Sequence, residues 1–254
     1  MKKNKFLFFL IFLFLICNSF YCDSDQDNTK NNEGEVESPQ QIQTCQEDYN
    51  TQQMLFTDSK SIWKTEKVSV CWLNPESYSQ SDLDLAKNTI KDSWDKYIDL
   101  DFVGWEKCTN TLTQIKILIS DERPRSVVGA RYYLDHGYQN MQWTMILNFE
   151  YKNWSEVCSK NSNQRLACLR RNVMHEFGHA IGFQHEQYRF DTPDWCSKLL
   201  DEEDKASSDE YYGDILYGKW DNKSIMNYCS YAQQLSCKDI NGAISIYGPE
   251  NDEQ

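Results

Sequence analysis

Three of the chain's four histidines fall within eleven residues, in the run His175-Glu176-Phe177-Gly178-His179-Ala180-Ile181-Gly182-Phe183-Gln184-His185. Side chains four apart share one face of a helix, so His175 and His179 can bind one metal ion together. Glu176 lies one step round, where it can reach a water on that ion without joining the coordination sphere. Gly182 can take a positive φ, ending the helix and turning the chain back so that His185 arrives as a third ligand. Three protein ligands leave a position for water, which is the arrangement of a catalytic zinc rather than a structural one. In that chemistry the metal polarises water and a substrate carbonyl, while Glu176 takes a proton and later returns it to the leaving amine. Neutral imidazoles leave the site net positive, which favours an oxyanion in the transition state. A lone histidine or glutamate on a helix is ordinarily structural, and it is the fixed spacing that sets this run apart. The fourth histidine, His136, stands alone in Leu134-Asp135-His136-Gly137-Tyr138 and reads as a loop residue.

The elements that must position this run can be read from periodicity. Lys67 to Leu73 reads as a strand, and Ile115, Ile117 and Ile119 alternate with polar residues as a half-buried strand. Arg131 to Leu134 is a further candidate strand. Trp143, Met145, Leu147 and Phe149 alternate in the stretch 141–149. That stretch is either an antiparallel edge to which an extended substrate could add, or a plain core strand. Ser81 is expected to open a helix with Asp84 as its capping partner, its inner face carrying Leu83, Ala86, Ile90, Trp94 and Tyr97. A second long helix is expected from about Gln164 to Ile181, with Leu166, Leu169, Val173, Phe177 and Ala180 inward. The last helix is expected to start at Ser236 with Asp239 as its capping partner and to stop at Gly248-Pro249. Strand, helix, strands, helix, an irregular stretch and a final helix together suggest an α+β domain, one twisted sheet backed by two long helices.

The motif resembles that of the metzincin metallopeptidases, H-E-x-x-H-x-x-G-x-x-H followed by a methionine turn, and the match is complete. His185-Glu186-Gln187-Tyr188-Arg189 looks like the astacin branch, where a glutamate follows the third histidine. Met226 lies forty-one residues beyond His185, in Ser224-Ile225-Met226-Asn227-Tyr228, which is similar to the astacin methionine turn. The resemblance implies a mostly parallel sheet with an antiparallel edge strand, two long helices and a C-terminal helix. It implies that Met226 forms an apolar floor under the ligands, and that Tyr228 contacts the metal at rest and swings to stabilise the oxyanion. Seen alone, Met226 would be core and Tyr228 a packed aromatic. In astacins the glutamate corresponding to Glu186 pairs with the processed N-terminus. The closing stretch from Asp239 to Gly248 also looks like the last helix of matrixins and astacins. Two departures put latency by a pro-segment in doubt: there is no F-x-G-D switch before the domain and no P-R-C-G switch.

Lys2, Lys3 and Lys5 precede an apolar run from Phe6 to Cys17, which reads as a secretory signal over residues 1–22 and is too short to span a bilayer. Two readings stay open: plain secretion, or a lipid anchor on Cys17 or Cys22 at the cell surface. Residues 23–54 are polar and read as a disordered tether or short pro-segment, leaving the catalytic domain to residues 55–250. The other eight cysteines include no C-x-x-C pair and are expected to form four disulfides, Cys158–Cys168 and Cys229–Cys237 among them. Cys45 could in principle reach the metal, but a disulfide is the simpler fate. Asn153-Trp154-Ser155 and Asn222-Lys223-Ser224 fit the glycosylation pattern, which matters only in a eukaryotic source.

The net charge is −13, and removing residues 1–22 takes away three lysines and no acids, leaving −16. A surface this acidic excludes nucleic acid as an expected partner. It suits solubility; a modest pull on basic substrates is the most it implies. The expected protein is therefore a monomeric zinc endopeptidase with one Zn2+, acting on proteins or peptides outside the cell or at its surface. The alternative is a binding protein or adhesin on the same fold with little turnover, which the intact Glu176 argues against.

Overall fold

The alternating apolar residues of the first half pair into one mixed sheet. The computed structural model describes Cys45 and residues 56–110, 112–130, 142–199, 215–216 and 218–250. The expected signal segment, the tether apart from Cys45, His136 and the candidate strand Arg131–Leu134 lie outside the described residues.

The strands are β1 (Phe56–Thr57), β2 (Lys67–Trp72), β3 (Asp101–Lys107), β4 (Ile115–Ile119), β5 (Arg125–Ser126), β6 (Met145–Leu147) and β7 (Ile215–Leu216). Five of them form a sheet in the order β3-β2-β4-β6-β5, parallel except where β5 meets β6. The strand formed in the stretch 141–149, Met145–Leu147, is thus interior, and the antiparallel edge is Arg125–Ser126. Alternation does not separate these cases, because an interior strand and a one-sided edge carry the same period. The middle strand β4 is more deeply buried than a half-buried pattern suggests: Lys116 is buried as well as Ile115, Ile117 and Ile119. A parallel strand with neighbours on both sides is covered on both faces.

Strand β3 is not announced by the sequence pattern. Gly104 and Trp105 both have positive φ, 100° and 67°, at a register shift opposite Val70 and Cys71. A bulge of this kind interrupts the two-residue period while turning Trp105 inward. Trp105 stacks on Phe177 at 5.5 Å, and Phe102 meets the same ring edge-on at 5.0 Å.

Among the described residues the helices are α1 (Gln80–Lys91), α2 (Trp94–Tyr97), α3 (Glu156–Ser159), α4 (Ser162–Ala180), α5 (Asp194–Ser197) and α6 (Cys237–Tyr247). The cap of α1 is Ser79 rather than Ser81, because Ser79 Oγ accepts from the Asp82 amide and donates to the Asp82 carboxylate. The same serine-to-acid spacing occurs twice in this stretch, and the earlier pair wins. Trp94 and Tyr97 fall in a separate short turn rather than in α1. Trp94 is fully buried, donates its indole N–H to Met174 O (2.8 Å) and contacts Phe183, so it fixes α4 against α2.

In α4, capped by Asn161, Leu169, Val173, Phe177 and Ala180 are buried as expected, while Leu166 is half-buried near the exposed end. One face of the helix therefore packs on the sheet through Phe177. The opposite one carries His175 and His179. Among the described residues between α4 and α6 there is a 3₁₀ turn at Glu186–Tyr188. The chain beyond α4 is tied back at Gln184, whose N–H reaches Phe56 O (2.8 Å), and by the pairing of β1 with β7. The final helix has the expected Ser236–Asp239 capping box and ends at Gly248 (φ 82°).

The eight cysteines among the described residues form disulfides, Cys45–Cys237, Cys71–Cys108, Cys158–Cys168 and Cys196–Cys229. The expected Cys229–Cys237 bridge is not made. The backbone of the methionine turn carries Cys229 to Cys196, and Cys237 at the start of α6 pairs across 192 positions with Cys45.

Candidate metal centre

Helix α4 delivers His175 and His179 on adjacent turns, both buried. It ends because Gly182 adopts φ 100° and Phe183 N–H returns to Gly178 O (2.9 Å), the reversal that the sequence calls for. His185 then comes back over the helix. Its Nε2 lies 3.1 Å from His175 Nε2 and 3.0 Å from His179 Nε2.

The other ring nitrogens decide what those three atoms are. His175 Nδ1 lies 2.8 Å from Ile225 O, and His179 Nδ1 lies 2.7 Å from Phe183 O. A carbonyl can only accept, so each Nδ1 carries the proton and each Nε2 presents a lone pair. Two lone pairs aimed at one point, with a third nitrogen there, repel unless a cation or a single proton lies between them. Burial pushes all three imidazoles down, His179 to about 4 and the other two well below their usual value. Neutral imidazoles are the ligand form, so the donor set fits a divalent metal such as zinc. The ligand atoms lie within 4.8 Å of one another.

Glu176 follows His175 on the same helix and is buried, its Oε2 without a hydrogen-bond partner among the described residues. Burial raises its pKa to about 8, against the opposing pull of Arg123, Arg171 and Arg125. Tyr228 stacks on His175 (5.4 Å between centroids) and lies closer to His185 (4.3 Å). Its phenol is pushed up, first by burial and then by Glu176, while Arg123 hydrogen-bonds it and opposes the shift.

Met226 is fully buried beneath the helix. A methyl group at Gly178 would collide with Met226 Sδ and touch Trp94, so the central glycine of the motif is what lets the sulfur come so near. The methionine turn is held from three sides. Met226 O accepts from Glu186 N–H (3.0 Å), and Tyr228 N–H donates to Gln187 Oε1 (3.1 Å). From below, the Asp239 carboxylate accepts from Ser224 Oγ (2.6 Å), Ile225 N (2.8 Å) and Ser236 N (2.9 Å). Asp239 thus grips the residue whose carbonyl orients His175. Its capping role is visible in the sequence; this second role is not, because the partners lie fifteen and fourteen positions away.

Glu186 is wholly buried, accepts from Asp221 N (2.8 Å) and lies 3.4 Å from Arg189 Nε. Burial raises its pKa to about 8, with Arg189 as the main opposing influence. Arg189 also grips Asp191 with two nitrogens, at 2.8 and 3.1 Å. The buried acid therefore has a cation of its own three residues along the chain. Neither Asp191 nor Asp221 carries a signal in the sequence that marks it for this role.

Residues 139–243 match the family model of the astacin peptidases. Over that segment the chain is similar to the astacin-type metzincins. The family's members are zinc metalloendopeptidases, and the mixed sheet, motif helix and C-terminal helix are those of an astacin-like fold. A solved structure of myroilysin aligns over 77% of this chain and 98% of its own, with TM-score 0.54 and 19% identity, a likeness in fold. High choriolytic enzyme 1, a hatching enzyme zinc-protease from Oryzias latipes (Medaka fish), aligns over 77% of this chain and 98% of its own at 18% identity. Its TM-score of 0.45 is too low to weigh. No curated protein matches the chain significantly. Among the described residues no helix is long and apolar enough to cross a membrane, and four disulfides are consistent with an oxidising, extracellular setting.

Proposed function

We propose that this astacin-type domain cleaves peptide bonds within proteins outside the cell, with one zinc on His175, His179 and His185 and Glu176 as the general base. The observation that carries the reading is the convergence of three Nε2 atoms, two of them on rings whose other nitrogen is occupied by a carbonyl. When bound, zinc would supply Lewis-acid polarisation of water and of the scissile carbonyl. Glu176 is buried one residue along the helix from His175, where it can take a proton from water and hand it to the departing amine. Tyr228, next to His185 and tied to Arg123, can donate its O–H to the oxyanion. Met226 supports the ligands from below and takes no part in proton transfer.

The domain limits proposed are a signal over residues 1–22, a tether over 23–54 and the peptidase over 55–250. The product is a monomer, secreted or held at the surface by a lipid on Cys17 or Cys22. The test is cleavage of gelatin by residues 23–254, with and without a zinc chelator, beside Glu176→Ala. Chelator-sensitive cleavage that the variant loses while keeping its zinc is the expected result. Equal activity in the variant would remove Glu176 from its role, and zinc-loaded folded protein that cuts nothing would favour the binding-protein reading.

A further inference from the structure

Helix α4 ends in the interior, where its last carbonyls need partners other than bulk water. Residues 177–187 are all buried. The turn itself meets part of the demand. Ile181 N–H returns to Phe177 O (3.0 Å), Phe183 N–H to Gly178 O (2.9 Å) and Gly182 N–H to His179 O (2.8 Å). The next three carbonyls are each taken by a side chain from a distant part of the chain. Trp63 Nε1 donates to Ala180 O (2.7 Å), Tyr247 Oη to Ile181 O (2.6 Å) and Thr57 Oγ1 to Gly182 O (2.5 Å).

These donors are tied to one another and to the histidines. Trp63 N–H donates to Tyr247 Oη (3.4 Å), so the phenol accepts from one side and donates to the other. Burial pushes that phenol up, which keeps its proton in place. Thr57 also pairs with Phe183 through an antiparallel bridge, and Phe183 O is the acceptor that holds His179 Nδ1. Phe56 O accepts from Gln184 N–H, the residue before His185. A methyl group at Gly182 would meet Ser61 O at 3.2 Å and Thr57 Oγ1 at 3.4 Å, so this segment lies directly against the turn. Apolar burial is non-directional and holds such a turn in place without fixing how its peptide planes are rotated. A hydrogen bond is directional, and one donor on each successive carbonyl does fix them. Rotating the Gly182 peptide would swing His185, three residues further on.

Resting on the metal reading above, we infer that Thr57, Trp63 and Tyr247 are positioning residues for the metal: each fixes one peptide plane between His179 and His185, and together they set the point at which His185 Nε2 meets the other two nitrogens. Thr57 carries the largest share, because it holds Gly182 through its side chain and Phe183 through its backbone. The two ends of the domain, one before β2 and the other in the last turn of α6, thus act on the metal site without touching the metal.

The experiment uses the disulfide-bonded, zinc-loaded protein and reads zinc affinity by chelator competition beside kcat and KM, at a temperature where circular dichroism shows every variant folded. Thr57→Val keeps the branched shape and removes the hydroxyl, whereas Thr57→Ser keeps the hydroxyl. Ile117→Val, in the middle of β4 between Trp72 and Met145, is the control for lost stability alone. Thr57→Val should bind zinc about tenfold more weakly, the low end of what losing an outer partner of a ligand costs, with kcat lowered and KM nearly unchanged. Thr57→Ser should recover most of that affinity, and Ile117→Val should keep all of it. Should Thr57→Val fail to fold, Tyr247→Phe, which removes a single hydroxyl, stands in for it with the same expected loss. Wild-type zinc affinity in the folded variant would overturn the inference. So would an equal loss in Ile117→Val, which would make the effect one of stability. A wild type that binds zinc and cleaves no peptide would remove the peptidase reading, while zinc affinity would still decide this inference. A wild type that binds no zinc would remove both.

Discussion

The two halves of the metal site are held by different means. His175 and His179 ride on a nineteen-residue helix whose far side is wedged by Phe177 between Phe102 and Trp105. His185 and the methionine turn lie in segments whose described residues are largely irregular. Those segments are positioned by buried polar side chains reaching backbone groups, namely Glu186 to Asp221, Gln187 to Tyr228, Asn227 to Asp221 and Asp239 to Ile225. One half relies on apolar burial spread over many contacts. The other relies on a few hydrogen bonds, each of which leaves a buried group exposed to an unmet demand if lost. The irregular half should therefore be the more brittle.

The largest expected effect comes from the bridges. In the chain-entropy picture, losing Cys45–Cys237, which closes a loop of 192 positions, costs about 5 kcal/mol. Losing Cys158–Cys168, separated by ten, costs about 3 kcal/mol. Paired Cys→Ala variants compared by denaturant midpoint would check the ordering, and a larger loss from the local bridge would break the comparison. Next comes Asp239→Ala, which strips acceptors from two buried amides and a hydroxyl and should cost about 3–4 kcal/mol. Because Ile225 O orients His175, the same variant should also bind zinc more weakly in a chelator competition. A variant that loses stability but keeps full zinc affinity would show that the turn does not steer the ligand. Gly178→Ala pushes a methyl into Met226 and should cost about 1–3 kcal/mol by overpacking. Adding Met226→Ala should recover part of that loss.

The smallest effect is a pH slope. Burial raises Asp239 to about 6 from 3.8. An acid whose folded pKa is raised contributes stability that is present below its unfolded pKa and lost as pH rises through the folded value. Unfolding free energy should therefore decline between about pH 4 and 6 in the wild type more than in Asp239→Asn. Parallel curves would mean that Asp239 stays ionised throughout.

The same contrast explains what can be read in advance. The spacing of His175, His179 and His185, the turn at Gly182 and the Ser236–Asp239 cap are encoded within a dozen residues, and periodicity or turn chemistry exposes them. Strand β3 is hidden by Gly104 and Trp105, whose left-handed backbone breaks the alternation that marks a strand. Cys45–Cys237 and the second role of Asp239 join distant positions, so nothing local announces them. In the sequence Arg171 is one of several polar residues on a helix. Only the fold reveals that it looks toward Glu176 while its neighbour Arg170 is exposed.

The bridge from Cys45 to Cys237 has a bearing on any maturation by cutting. A nick anywhere from residue 46 to the start of β1 would leave the amino-terminal piece covalently fastened to the first residue of α6. The nicked molecule would keep nearly its whole mass, migrate as one species and part only under a reductant. A new amino terminus could form there without any pro-piece leaving, and cleavage followed on non-reducing gels would pass unseen.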